Sequence, residues 1–167
     1  MSKPVSDDDV AEAVRVIRVT IHTTGFPFES STRSDNHASI FLVMDNSVDS
    51  GKSVRVTMMR NYSECKCEYA YSLSSVKDVD LKPTANVTVG KFLDLIREKK
   101  LDKYELHPDG VGCRFWVKSA LQAFQTAGLV DPSADLSEVY EALEYNHSRG
   151  QPPQFSPMVA GKFLSDP

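Results

Sequence analysis

A chain of 167 residues with 41% apolar and 25% charged side chains is long enough to bury one substantial core and is ordinary for a soluble globular protein. Its formal charge of −4, and a single dense basic patch (Arg97-Glu98-Lys99-Lys100) interrupted by an acid, exclude the electrostatic footprint that holds phosphate backbones, so nucleic acid is not an expected partner. No apolar stretch approaches the ~20 residues that cross a bilayer, and Met1 to Asp9 is polar and acidic where a signal peptide would be apolar, which predicts no membrane span and a cytoplasmic chain.

Residues 1–12, with Pro, Ser and three consecutive Asp, read as a flexible N-terminal tail in which Ser6-x-x-Asp9 can cap a short helical turn. Residues 13–167 read as a single globular domain. From Val14 to Thr23 the chain is dense in β-branched residues, and Ile17, Val19 and Ile21 alternate with Arg18, Thr20 and His22, which predicts a strand. Residues 24–36 hold Gly25, Pro27 and many small polar residues and predict a loop. Two further strands, 37–44 and 53–59, flank a turn-forming segment ending in Ser50-Gly51, the pattern of an antiparallel hairpin. A fourth strand is expected from Glu68 to Leu73.

Between Thr88 and Leu101 the residues Val89, Phe92, Leu93, Leu95 and Ile96 recur at helical spacing. A short strand is expected at 103–106. A second helix then starts at Cys113 and runs to Gly128 as its C′ residue, and Asp135-x-x-Glu138 signals a third. The proline-rich tail from Gly150 carries Phe155, Met158, Val159, Phe163 and Leu164, enough apolar surface to dock on the body. These elements predict an α+β fold, an antiparallel sheet packed against helices.

Three cysteines, at positions 65, 67 and 113, do not form a disulfide framework in a chain of this size. Cys65 and Cys67 share one strand face. They can begin a metal site only if other ligands converge on them, and without a second ligand pair nearby they read as half-buried strand thiols. No metal and no cofactor is expected. Gly110-x-Gly112 lacks the third glycine of a dinucleotide fingerprint and the Lys-Ser/Thr of a phosphate-binding loop.

Cys113 stands apart because it follows the turn Asp109-Gly110-Val111-Gly112 and opens a helix, where first-turn N–H groups and the helix dipole favour a thiolate. Thiol catalysis also needs an imidazole and N–H donors for the developing oxyanion. His37, at the start of a strand, supplies the first, and the amides of Gly112 and Cys113 supply the second. If Ile40 and Leu42 face the core, then His37 faces away with Ser39 and Phe41, and burying Val54, Val56 and Met58 places Arg55 and Thr57 beside it. Thr57 is then the expected orienting partner of His37, and Arg55 a group that can hold an anionic part of a substrate. Trp116, beside the thiol at helical spacing, reads either as core or as the lining of a substrate pocket. Cys113 itself reads equally as a small core residue, and His37 as a strand-end residue bonded to the backbone.

His37-Ala38-Ser39-Ile40-Phe41 followed by Gly112-Cys113-Arg114-Phe115-Trp116-Val117 resembles the circularly permuted members of the NlpC and papain-like superfamily. Those members include lecithin retinol acyltransferase-like proteins, in which His also precedes Cys in motifs of the type His-Trp-Ala-Ile-Tyr and Asn-Cys-x-His-Phe-Val. The segments Asp35 to Val43, Ser53 to Val56 and Gly110 to Val117 more specifically resemble a family of small uncharacterised fungal proteins. The chain departs from the permuted enzymes at Ala38, where Trp is frequent, and at Gly112, where Asn precedes the cysteine. The resemblance implies a permuted papain-like architecture and acyl transfer or hydrolysis on a small or lipid-like molecule. In that chemistry Cys113 is the nucleophile and His37 the base. The rival expectations are a non-covalent isomerase or cyclase of an apolar metabolite, with His37 as general acid or base, and a binding module without catalysis. Oligomeric state is not legible.

Overall fold

The computed structural model describes residues 3–23, 36–44, 52–59, 62–69 and 74–164. The expected loop at 24–35 and the hairpin turn at 45–51 lie outside the described residues. A six-stranded antiparallel sheet is built from β1 (Lys3–Pro4), β2 (Val16–Thr23), β3 (Asn36–Val43), β4 (Lys52–Met59), β5 (Tyr62–Tyr69) and β6 (Ser75–Leu81), in the spatial order β1-β5-β4-β3-β2-β6. With four helices among the described residues, α1 (Asp7–Ala11), α2 (Val89–Glu98), α3 (Cys113–Thr126) and α4 (Ser137–Leu143), the fold class is α+β.

The alternation expected for β3 and β4 sets the core. Ile40 pairs with Val56 and Leu42 with Val54, and all four are fully buried with Ala38 and Met58 in one cluster with Trp116, Val117, Ala120, Leu121 and Phe124 of α3. Phe92 of α2 meets Phe124 edge to face, with ring centroids 4.9 Å apart. The opposite sheet face carries a second, small cluster of Phe41 and Val43 packed with Val16. Beside it lie polar cross-strand pairs: Thr20 donates to Asp78 (2.6 Å) and Arg18 makes a two-point pair with Asp80 (2.7 and 2.8 Å).

Four differences from the sequence expectation have physical causes. Residues 1–12, expected as a loose tail, contain β1, which pairs with β5, and α1. Ser6 and Asp9 close a reciprocal capping box on α1, and the buried Asp9 pairs with Lys52. The fourth strand runs Tyr62–Tyr69 rather than 68–73; residues 70–73 and the side chains of Cys65 and Cys67 lie outside the description. Strand β6 was not expected, although Val79 and Leu81, both buried, alternate with Asp78 and Asp80 against β2. Asp135 does not form the expected capping box with Glu138. Its carboxylate instead accepts from the Ser137 N–H (2.8 Å), and Leu136 is the N-cap of α4.

The C-terminal segment forms a strap. Two-residue strands β7 (Tyr104–Glu105) and β10 (Lys162–Phe163) pair, as do β8 (Tyr145–Asn146) and β9 (Gln154–Phe155). Of the tail's apolar residues, Met158 and Phe163 pack against the core, while Phe155, Val159 and Leu164 remain exposed. No helix among the described residues is long and apolar enough to cross a membrane.

Candidate functional site

Helix α3 begins where the chain must reverse sharply. Gly112, its N-cap, has φ +125°, a backbone conformation that side chains rarely adopt, and a Cβ there would sit 3.1 Å from Tyr104 Oη and 3.2 Å from the Gly161 nitrogen. Glycine therefore allows three segments to meet. The Tyr104 hydroxyl donates to the Gly112 carbonyl (3.1 Å) and accepts from the Gly161 N–H (2.6 Å), tying the strap to the start of α3. Cys113 is the first residue of the helix.

At this end of the sheet a cleft of about 370 Å³ opens. It is lined by Asn36 and His37 from β3, by residues 109–114 from the turn and α3, by Asn146, and by Ser156 and Val159 from the strap. His37 and Cys113, expected as partners, thus line one cavity. Gly112, expected as part of an oxyanion site, lines it too.

His37 Nε2 lies 2.6 Å from Thr57 Oγ1, and the Ser39 hydroxyl donates to the same Oγ1 (3.2 Å). The expected pairing of His37 with Thr57 is therefore present, and it follows from register: Ser39 sits opposite Thr57, so His37 reaches diagonally across to it on the same sheet face. Arg55, opposite Phe41, belongs to that face as well, and is absent from the lining of the cleft. It acts electrostatically instead: burial and the Arg55 charge both push the His37 imidazole below its ordinary pKa. His22, directly across from His37 with ring centroids 6.2 Å apart, is lowered to about 4 by burial and then by the neighbouring charges of His37 and Arg55. Both rings are neutral at neutral pH. Position 22, expected to be exposed or capping with no functional role, is buried instead.

Two expectations are corrected. Trp116 is fully buried, its indole N–H donating to the Leu101 carbonyl (2.8 Å), so it is core rather than cleft lining. Position i+3 from Cys113 shares its helix face but lies one turn deeper under the sheet. The Cys113 thiol, expected to be acidified by the helix start, is 6% exposed, and burial pushes its pKa up. The N–H groups of Ala38, Arg114 and Cys113 itself, and the Arg114 charge, pull the other way without cancelling that cost.

Two contributors went unseen in the sequence. Asn36 clamps residue 147 at both ends, accepting from the His147 N–H (2.6 Å) and donating to its carbonyl (2.8 Å), which fixes the start of β3 against the loop after α4. Arg114 reaches across to the carbonyls of Leu143 (2.9 Å) and Ser156 (3.0 Å) and to the Ser156 hydroxyl (3.1 Å), holding the strap as one cleft wall.

No curated protein and no solved structure matches this chain. Residues 17–164, nearly the whole of the described fold and every residue of the cleft, match one family, and the chain belongs to it: the Domain of unknown function DUF7770.

Proposed function

We propose that the chain catalyses acyl transfer or hydrolysis on a small molecule, on a permuted papain-like plan in which Cys113 is the nucleophile and His37 the base. The observation that carries this reading is the single cleft lined by both residues, with His37 already held by Thr57. In this reading the imidazole donates from Nε2 to Thr57 Oγ1, the tautomer that leaves Nδ1 as the basic nitrogen. The lowered imidazole pKa keeps that nitrogen unprotonated at neutral pH, and the raised thiol pKa keeps the sulfur protonated.

The resting pair is thus neutral, and attack is coupled to proton transfer. As Sγ bonds to the acyl carbon, the S–H proton passes to His37 and then to the leaving group, giving a thioester that water or an acceptor resolves. The Gly112 and Cys113 amides at the head of α3 are the donors for the oxyanion.

A second reading, a binding module without chemistry, is favoured by the burial of the sulfur. A small activated ester separates the two. Incubation with p-nitrophenyl acetate and peptide mass spectrometry should find the acetyl group on Cys113, with release of nitrophenol abolished in Cys113→Ala. Release that persists unchanged in Cys113→Ala, with no acetyl on that peptide, leaves the binding module.

A further inference from the structure

Arg114 lines the cleft on the first turn of α3, and its partners carry no charge. Nη1 donates to the carbonyls of Leu143 (2.9 Å), Ser156 (3.0 Å) and, more weakly, Tyr145 (3.4 Å), while Nη2 donates to the Ser156 hydroxyl (3.1 Å). A guanidinium has five N–H donors. The two contacts to Ser156, one from each terminal nitrogen, occupy its end. The Nε–H and the second Nη2–H form its side edge, and that pair has the spacing of carboxylate oxygens.

A half-buried cation satisfied only by neutral dipoles remains short of a counter-charge. Among the described residues the one acid lining the cleft, Asp109, is at the rim with a side chain 79% exposed and is not among the hydrogen-bond partners of Arg114, so it does not neutralise it. The remaining lining groups, Asn36, His37, Asn146 and Ser156, are uncharged at neutral pH or only polar, and Val111 and Val159 add apolar surface at the mouth.

We propose that the cleft takes a small ligand bearing a carboxylate, received on the Nε/Nη2 edge of Arg114 beside Cys113. This names the ligand class of the same cleft. It rests on the cleft being the functional site, and not on the thiol being reactive. A ligand anchored there would lie between the helix start and the strap, and the strap's hold on Arg114 through Ser156 would set the orientation of that edge.

The test is a titration of the full chain, followed by the ¹⁵N signals of the Cys113 and Arg114 amides and the Arg114 Nε–H. It compares N-acetylglycine with its uncharged counterpart N-acetylglycinamide at matched ionic strength. The carboxylate should give saturable shifts at these three groups, and the amide should bind at least about tenfold more weakly, the loss expected for a charge-assisted two-point contact. Arg114→Lys, which keeps the charge and removes the fork, should weaken the carboxylate by a similar factor. If that variant does not fold, the contrast between the two probes on the unaltered chain still decides. Equal binding of both probes, or no saturable shift with the carboxylate, overturns the proposal. Neither result depends on acetyl transfer to Cys113, so a failed ester experiment leaves this one standing.

Discussion

His37 Nε2 and Thr57 Oγ1, on neighbouring strands and 20 residues apart in sequence, are joined at 2.6 Å with Ser39 as the third member of the set. The group is enclosed: Ser39 and Thr57 are each 1% exposed, so water cannot replace a lost partner. Thr57→Val, nearly the same shape without the hydroxyl, strands both neighbours and should cost about 1–3 kcal/mol. Thermal unfolding should show the drop, and Thr57→Ser should recover most of it. A Tm for Thr57→Val equal to that of the parent would mean the bond contributes nothing.

The facing imidazoles predict how stability responds to acid. His22 titrates at about 4 in the folded chain against an ordinary 6.5, and His37 is shifted in the same direction. Below pH 6.5 the unfolded chain takes up protons that the folded chain refuses, so stability is full above that value and falls as pH drops towards 4. For His22 the loss reaches at most about 3 kcal/mol. Denaturant midpoints at pH 7 and pH 4.5 should differ accordingly in the parent, and the gap should narrow in His22→Phe to the part that His37 contributes. Equal acid sensitivity in the two proteins would locate the effect in other groups.

Gly112 and Gly110 separate crowding from backbone strain. Both have positive φ, but a Cβ at Gly110 (φ +78°) meets nothing within 4 Å, whereas one at Gly112 meets Tyr104 and Gly161. Gly110→Ala should cost about 1 kcal/mol. Gly112→Ala should cost about 1–3 kcal/mol and, by parting Tyr104 from Gly161, speed alkylation of Cys113 by iodoacetamide. Equal costs at the two sites, with unchanged alkylation, would count against the strap as a wall over the sulfur.

How much of this was legible in the sequence follows from the range of each interaction. Alternation along β3 and β4 fixed which side chains share a face, and two strands with one buried face leave little freedom of register. His37 and Thr57 could therefore be placed on one face, while their direct pairing, which a two-residue slip would break with the same face still buried, is shown by the structure. Edge strand β6 carried its alternation at Val79 and Leu81 against Asp78 and Asp80, a pattern of four residues too short to be picked out as a strand. Depth was the larger blind spot. Helical spacing places Trp116 on the same face as Cys113, yet says nothing of how far under the sheet that face lies, and the same ignorance hid the desolvation that outweighs the helix start at the thiol. Contacts such as Asn36 with His147, 111 residues apart, and Arg114 with Ser156, 42 apart, have no local signature at all.

The central claim, that Cys113 and His37 work as one neutral pair, is tested most directly by the pH dependence of Cys113 acetylation by p-nitrophenyl acetate in the parent and in His37→Ala. The account predicts a rate that rises with deprotonation of the imidazole, half-maximal below its ordinary 6.5, levels off through neutral pH, and drops about 100-fold or more without His37. A rate that climbs only in the alkaline range of an unassisted buried thiol, and is the same in both proteins, would contradict it.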